Sequence, residues 1–362
     1  MKTAGEQLVT DRRNVLKILG LSSAALFTGF GNISEAEAAV IKKTKKPVVT
    51  PDRSTVAFST GTDRKAMMFE ILKPFESQIR EGLKGKQLVI KPNMVSTNTP
   101  LCATHVDALR ALLEFVKPFY KGQIIIAEAT AGTGETMVGF QNYGYMDLQK
   151  EFDLKFVDIN KTNGSPIWIL DRNLYPDKIQ ISEIFVDPGN YFISISRLKS
   201  HNAVVMTGGM KNMVMAAPLN ISAANGNPQL NYKSKMHSGG SRWLHYNMFL
   251  IAKHVRADFT IIDGVEGMQG NGPIAGTPVD HRVALAGTDV VAIDSLCAKL
   301  MGVPLEDVGY INYAAADGMG ITDRSKIDII GGKDPDQHII AYKLHDNIAR
   351  QLEWKKPLIP PK

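Results

Sequence analysis

The stretch "YFISISRLKSHNAVVMTGGMKNM", Tyr191–Met213, places an uninterrupted apolar run directly before a segment crowded with nitrogen-bearing side chains. An apolar run of this length is typical of a strand that is buried on both faces. A loop that only reverses the chain needs turn residues, but this one carries Lys199, His201 and Lys211. Such residues at the exit of a buried strand predict a cleft that binds an anion or a metal ion.

Similar apolar runs recur along the chain, each followed by polar or glycine-rich residues and then by a helical pattern. The other runs are "QLVI" (87–90), "QIIIA" (123–127), "LKFVDI" (154–159), "FTIID" (259–263), "VALAG" (283–287) and "IDII", which ends at Ile330. The helical patterns lie near Lys65–Gly82, His105–Tyr120, Ser241–Arg256, Asp289–Gly302 and Ala341–Glu353. This alternation predicts an α/β fold with a mainly parallel sheet and helices on both faces. The less regular residues Thr162–Pro188 predict a small antiparallel insertion.

The bulk charge argues against a nucleic-acid surface. The formal net charge is +6, but "KKTKK" at Lys42–Lys46 alone supplies four of those charges, so the remainder is nearly balanced. With 362 residues, the chain can form one large domain or two lobes around a sizeable core. We expect no nucleic-acid partner.

The first 38 residues are typical of an export signal. "DRRNVLK" (Asp11–Lys17) precedes the apolar run Ile18–Phe30, and the small-x-small pattern "AEA" follows at Ala36–Ala38. The adjacent Arg12-Arg13 resembles a twin-arginine signal, which predicts the twin-arginine export machinery as a partner and a periplasmic location in a bacterium. The apolar run is too short to span a bilayer, so no stable membrane span is expected after cleavage. Residues 39–54 are interpreted as a linker, 55–332 as an α/β domain, possibly of two lobes, and 333–362 as a C-terminal helix and tail.

Polar residues follow four of the predicted strands, where a parallel sheet places its ligands. These exits are "KPN" (91–93), "EATAGTGET" (128–136), "RLKSHN" (197–202) and "DGVEGMQGNGP" (263–273). Glycines there allow close approach of a ligand to the main chain, and free amides at a helix start near Met210 suit an anion. The predicted ligand-binding residues are Lys91, Asn93, Lys211, Asn212, Gly208, Gly209, Gly270 and Gly272.

Candidate catalytic residues combine imidazoles, an amine and a carboxylate. They are His201, Lys199, Asp263 and His237, with Asp263 orienting a histidine or a metal. A weaker metal-ligand set consists of His201, His237, His245 and Glu128, whose spacing matches no standard motif. A packed core position for His245 and a plain turn around Glu128 are the competing interpretations. Asp294 falls inside an apolar helix and therefore needs a partner.

These motifs together resemble the family named domain of unknown function 362. The resemblance rests on "KPN", "RLKSH…TGGMKN", "MH" at Met236-His237 and "DGVEGMQGNGP". "GTDVVAID" (287–294) and "GMG" (318–320) extend it, so that it covers roughly residues 86–332. It implies the α/β fold and the positions of the site, but no particular reaction. Some members carry ferredoxin-like cysteine clusters, and this chain, with only Cys102 and Cys297, is expected to hold no iron–sulfur cluster.

Two functions of different classes remain open from the sequence. The first is an exported enzyme that binds an anionic small molecule, a divalent metal ion or both, with acid–base, hydrolytic or isomerase chemistry. The second is a non-catalytic periplasmic protein that binds a ligand or cofactor for a partner. The identity of any cofactor is not predicted.

Overall fold

The protein is described by a computed structural model that covers residues 52–131, 134–173, 175–222 and 226–356. The predicted signal peptide, residues 1–38, and nearly all of the predicted linker lie outside the described residues. A large sheet has the strand order β11-β1-β10-β9-β7-β2-β3-β4, and a two-residue strand β8 pairs with β7. Its strands are β1 (Ser54–Thr60), β2 (Gln87–Lys91), β3 (Ile124–Glu128), β4 (Leu154–Asp158), β7 (Asn190–Ser200), β8 (Met206–Thr207), β9 (Phe259–Asn271), β10 (Ala275–Gly287) and β11 (Ile327–Ile330).

The sheet is mixed but mostly parallel, which confirms the predicted fold class. β4, β3, β2, β7 and β9 are successive parallel neighbours, and β11 is parallel to β1. β10 runs antiparallel to both β9 and β1. β5 (Gly164–Leu170) and β6 (Pro176–Ser182) form a separate antiparallel pair within the predicted insertion.

Helices cover both faces of the sheet and enclose two apolar cores. The helices are α1 (Arg64–Leu72), α2 (Glu76–Gly82), α3 (Val106–Val116), α4 (Thr136–Asn142), α5 (Gly209–Val214), α6 (Tyr232–Met236), α7 (Ser241–Ala252), α8 (Val290–Leu300), α9 (Gly309–Ala316) and α10 (Ile348–Gln351). Residues of α1 to α4 pack with Ile193 and Ile261 in one core. Residues of α5 and α7 to α9 pack with Phe192 and Ile262 in the other. Alternate residues of one strand thus reach opposite cores, as a pleated strand requires.

Three local patterns differ from the sequence predictions. β1 was not predicted, yet it lies between β10 and β11 in the sheet. The glycine-rich segment after Asp263 was predicted as a loop, but it continues β9 as far as Asn271 and pairs with β10. The helical pattern at 341–353 forms a helix only over Ile348–Gln351, followed by the short 3-10 turn Leu352–Lys355.

The strand order creates a crevice between β2 and β7. From β2 the chain proceeds outward to β3 and β4, whereas from β7 it proceeds to β9 on the other side. Ligands in open α/β sheets bind beyond the carboxyl ends of the strands at such a reversal of strand order. The polar exits of β2 and β7 therefore meet at the position where a site is expected.

Two further findings concern membrane spans and the two cysteines. No helix in the described part of the chain combines the length and the apolar character that a bilayer crossing requires. Cys102 and Cys297 are both buried and both free thiols.

Candidate functional site

A cavity of about 830 Å³ lies at the carboxyl ends of β2, β3 and β7. This volume suits a small-molecule ligand. Its walls come from the strand exits, from helices α5 and α6, from the turn between β9 and β10, and from residues 345–347. The predicted site residues that line it are Lys91, Asn93, Glu128, His201, Lys211, Asn212, His237 and Gly272.

The floor of the cavity is a closed polar network centred on Lys91. Its ammonium donates to Glu128 Oε2 at 2.6 Å, to Asn212 Oδ1 at 2.7 Å and to the carbonyl of Pro92 at 2.7 Å. The other oxygen of Glu128 accepts from the amide of Ala129 at 2.7 Å. All three ammonium protons have acceptors, so this lysine is neutralised and fixed. Burial lowers the pKa of Lys91 and raises that of Glu128, and the attraction between them opposes both shifts.

Two asparagines join this network to Lys199. Asn93 Nδ2 donates to Asn212 Oδ1 at 3.0 Å, and Asn212 Nδ2 donates to Ser194 Oγ at 2.9 Å. Lys199 is fully buried behind the cavity wall, where it donates to Asn93 Oδ1 and to the carbonyl of Cys102. It was predicted as catalytic, but it does not line the cavity. Its contacts support the floor rather than a ligand.

Lys211 on α5 also faces the cavity, but its hydrogen bonding differs from that of Lys91 and Lys199. The residue is only 7% exposed, and its ammonium has neither a hydrogen-bond acceptor nor a carboxylate partner among the described residues. Burial lowers its pKa to about 7, and the charge of Lys91 adds to this shift while Glu128 opposes it. An amine in this position can hold an anion through its charge or react through its lone pair.

Lys233 on α6 is a second cavity amine that the sequence analysis missed. It is buried and donates to the carbonyls of Ala216 at 3.0 Å and Met215 at 3.4 Å. Burial lowers its pKa to about 7 even though Glu128 acts to raise it. The segment "NYKSKM" (231–236) has no glycine or strand exit that could have marked it.

The two predicted cavity histidines are neutral donors or acceptors at neutral pH. His201 Nδ1 accepts from the amide of Ala203 at 3.0 Å, so the proton of the neutral ring lies on Nε2. Burial, followed by the charge of Lys211, lowers the pKa of His201 well below its usual value. His237 lines the cavity where it opens to solvent, and part of its side chain is exposed. Desolvation by the surrounding protein, followed by the charge of Lys211, lowers its pKa to about 4.

The start of α5 does not offer its amides to a ligand. Instead the carboxylate of Asp294 accepts from the amides of Gly209 at 2.6 Å and Met210 at 3.0 Å. A Cβ on Gly208 would lie 2.3 Å from Asp294 Oδ1, and one on Gly209 would lie 2.3 Å from Thr260 Cγ2. Gly208 therefore leaves room for Asp294, and Gly209 leaves room for Thr260. The amides of Gly209 and Met210 are the partners that the buried Asp294 needs. Burial raises the pKa of Asp294 to about 7, and the two amides oppose that shift.

Of the two predicted glycines in this region, Gly270 lies near the end of β9 and Gly272 in the turn between β9 and β10, and their roles differ. Gly272 lines the cavity, and a Cβ there would lie 2.2 Å from the carbonyl oxygen of Ser200. Gly270 has a φ of +77° and accepts a hydrogen bond from Ser200 Oγ at 2.9 Å, but does not line the cavity. Both hold the turn close to the end of β7.

Asp263 lies apart from the cavity. Phe259 and Ile261 precede it at alternate positions of β9 and pack in the core of α1 to α4. Its carboxylate accepts from Arg64 Nε of α1 at 3.0 and 3.2 Å. The structure therefore does not bring Asp263 together with His201, which it was predicted to orient.

The predicted metal-ligand set is not assembled either. His245 packs inside the protein against Tyr310 and Trp354, and its Nδ1 accepts from the amide of Tyr310 at 3.2 Å. Glu128 is bound to Lys91 as described above. Across the ranges that the structure describes, no three His, Cys, Asp or Glu side chains converge in a way that could hold a metal ion.

Residues 345–347 complete the rim of the cavity, which the sequence analysis did not predict. Asn271 Nδ2 donates to Asp346 Oδ2 at 2.9 Å, and the amide of Asp346 donates to Asn271 Oδ1 at 3.2 Å. Asn347 Nδ2 donates to the carbonyl of Asn202 at 2.8 Å. The C-terminal segment is thus fastened to the exits of both β7 and β9.

The fold and this cavity define an α/β protein with a cavity lined by lysines at a reversal of strand order. The chain belongs to the family described as "Domain of unknown function (DUF362)", whose profile matches residues 88–299. That range includes the cavity floor, α5, α6 and the β9–β10 turn, but not the rim at 345–347.

Two individual proteins are similar to this chain. A thylakoid-associated protein of Synechocystis sp. is 24% identical over 261 residues, which are 71% of this chain and 75% of that protein. A crystal structure of a Thermotoga maritima protein matches with a TM-score of 0.38 and 12% identity. The match covers 61% of this chain and 58% of that structure, so the chain spans less than two thirds of its length.

Proposed function

We propose that the protein binds a small organic anion, a carboxylate or phosphate compound, in the cavity beneath residues 345–347. The observation that carries the proposal is Lys211, a buried ammonium that lacks an acceptor in the described structure. Partial removal of this ammonium from solvent disfavours its charged form, and a counter-ion in the cavity would favour it. An anion in the cavity would supply that counter-ion.

The charges around the cavity favour an anion over a cation. Glu128 is the carboxylate of the floor, and Lys91 already neutralises it at 2.6 Å. Lys211 and Lys233 remain as cavity amines without a carboxylate partner within hydrogen-bond distance. Among the described residues that line the cavity, Asp346 at the rim is the one other acid. Two such amines suit a ligand with two negative charges.

His201 would complete the recognition of this ligand. Its Nε2–H has no acceptor among the described residues, and the ring lines the same cavity as Lys211. As a neutral donor it would orient an anionic oxygen of the ligand. An enzyme would lose turnover in His201→Asn while retaining ligand, whereas a non-catalytic accessory protein would change only in affinity.

The binding proposal is tested by titrating inorganic phosphate and citrate into the purified protein by calorimetry, with sodium chloride at matched ionic strength as reference. We expect Lys211→Met to weaken anion binding about tenfold or more, since a hydrogen bond to a charged group contributes about 1.5–3 kcal/mol. Lys155→Met, which removes an exposed lysine of β4, is the matched control and should leave affinity unchanged. Equal affinities for the wild type and Lys211→Met would rule the proposal out.

Export through the twin-arginine route is proposed from residues that lie outside the described part of the chain. Arg12-Arg13, the apolar run and "AEA" support it. Replacing both arginines by lysine in a bacterial host should leave the full-length precursor in the cytoplasm, as read by fractionation and immunoblotting. Unchanged export of that variant would contradict the twin-arginine route but not the anion site.

A further inference from the structure

Four buried lysines surround or support the cavity, and their ammonium groups differ in hydrogen bonding. Lys91 donates to three acceptors, whereas Lys199 and Lys233 donate to two each. Lys211 donates to none of the described residues, although it is as buried as Lys233. Its nitrogen is therefore the amine that can turn towards a ligand without breaking an existing bond.

Reactivity of an amine requires that its lone pair be free of a proton. Burial and the neighbouring ammonium of Lys91 both favour the neutral form of Lys211, and its pKa is lowered to about 7. A desolvated lysine beside another cation is a known arrangement for attack on carbonyl compounds. The lysines that donate to backbone carbonyls are held in place by those bonds, which Lys211 lacks.

We propose that Lys211 forms an imine with the aldehyde or ketone carbon of a carbonyl-bearing organic anion in the cavity. This inference rests on the proposed function, since the anion must bind first. It also names the substrate class, which is a 2-oxo acid or a phosphorylated aldehyde or ketone.

The step balances without any oxidant or reductant. The Nζ lone pair forms a bond to the carbonyl carbon, and the electrons of the C=O π bond move to oxygen, which takes up a proton. The nitrogen then loses its protons as the hydroxyl group leaves as water, and a C=N bond forms. The imine withdraws electrons from the adjacent carbon, which makes loss of a proton or of carbon dioxide there easier. Lys233 and the Nε2–H of His201 line the same cavity and would hold the anionic group during this step.

The test uses pyridoxal 5′-phosphate as probe, because it combines an aldehyde with a phosphate. The full chain is treated with one equivalent of probe at pH 7, reduced with sodium borohydride, and analysed by intact mass and peptide mapping. We expect Lys211 to be modified about tenfold faster or more than exposed lysines, whose pKa is about 10.4. Adducts spread over exposed lysines, with Lys211 unmodified, would overturn the inference.

Two variants separate covalent reactivity from anion binding. Lys211→Arg keeps a positive charge but cannot form the adduct, whereas Lys233→Arg should still form it; thermal unfolding checks that both are folded. If Lys211→Met loses phosphate affinity but the wild type forms no adduct at Lys211, the imine is wrong and the anion site stands. If neither phosphate binding nor an adduct is found, both proposals fail. An adduct that persists in Lys211→Arg would place the reactive amine elsewhere.

Discussion

Lys91 and Lys211 are both buried lysines at the same cavity, but they stand in opposite relations to their surroundings. Lys91 at the floor has three acceptors, one of which is a carboxylate at 2.6 Å, whereas Lys211 on the wall has no acceptor among the described residues. The floor is self-sufficient, so its polar groups contribute to a defined structure. The wall leaves the ammonium of Lys211 without an acceptor among the described residues, and the proposed anion would supply one. Burial of a lysine alone therefore does not make it a candidate for ligand binding, whereas the lack of an internal partner does.

The largest expected effect comes from breaking the floor. Glu128→Gln leaves Lys91 buried without its negative partner and should lower the free energy of unfolding by about 3 kcal/mol. Denaturant unfolding measures this, and the double variant Glu128→Gln/Lys91→Met should recover most of the loss in a double-mutant cycle. Lys211→Met, by contrast, should not destabilise the protein in the absence of ligand. Equal destabilisation by both single variants would erase the distinction between floor and wall.

Variants of Asp294 test whether the start of α5 is satisfied by protein groups alone, as the cavity floor is. Asp294→Ala leaves the amides of Gly209 and Met210 without their acceptor and should cost about 2 kcal/mol of stability. Gly208→Ala, which would bring a Cβ to 2.3 Å from Asp294 Oδ1, should destabilise by a similar amount. Thermal unfolding of both variants is the measurement. A fully stable Asp294→Ala protein with stronger phosphate binding would instead mean that these amides serve the ligand.

The pH dependence of stability sharpens the same comparison. The pKa of Lys211 is lowered from 10.5 to about 7, so between these values the unfolded chain holds a proton that the folded chain lacks. The free energy of unfolding should therefore rise from pH 7 to pH 10 more steeply in the wild type than in Lys211→Met. Lys233 titrates alike in both proteins, whereas the charge of Lys211 also lowers the pKa of Lys199. The difference therefore reports Lys211 together with its effect on Lys199. In contrast, affinity for phosphate should fall over this range because an anion needs the ammonium form.

The smallest effect concerns the charge at the rim. Asp346→Asn keeps an oxygen acceptor for Asn271 but removes the exposed negative charge from the edge of a cationic cavity. Association of phosphate should become about twofold faster, as read by stopped-flow kinetics. Asp346→Ala, which removes the acceptor as well, should also speed dissociation. A slower association in Asp346→Asn would contradict the cationic character assigned to the cavity.

The sequence predicted the sheet well where strands are continuously apolar, but not where they alternate or contain glycine. β1, "STVAFST", mixes small polar residues with few apolar ones, and it is a strand because β10 and β11 flank it. The glycine-rich half of β9 has little side-chain pattern, yet its backbone pairs with β10 at Gly267 and Gly270. These strands depend on tertiary partners that a local pattern does not contain.

The candidate site was predicted only in part, because some of its residues also depend on packing between distant parts of the chain. Position at a strand exit identified Lys91, His201 and Lys211, which do meet at one cavity. It could not show which face of β9 Asp263 occupies, and a shift of one residue decides this. Lys233 and residues 345–347 reach the cavity from parts of the chain with no strand-exit signal, so their contribution depends on long-range packing.

The fastening of residues 345–347 to Asn202 and Asn271 has a consequence for biosynthesis. These residues leave the ribosome after every strand of the described sheet, so a nascent chain that ends at β11 contains the residues of the cavity floor but not those of the rim at 345–347. If the proposed ligand needs this rim, it can be retained only after translation has passed β11 and residues 345–347 have been added.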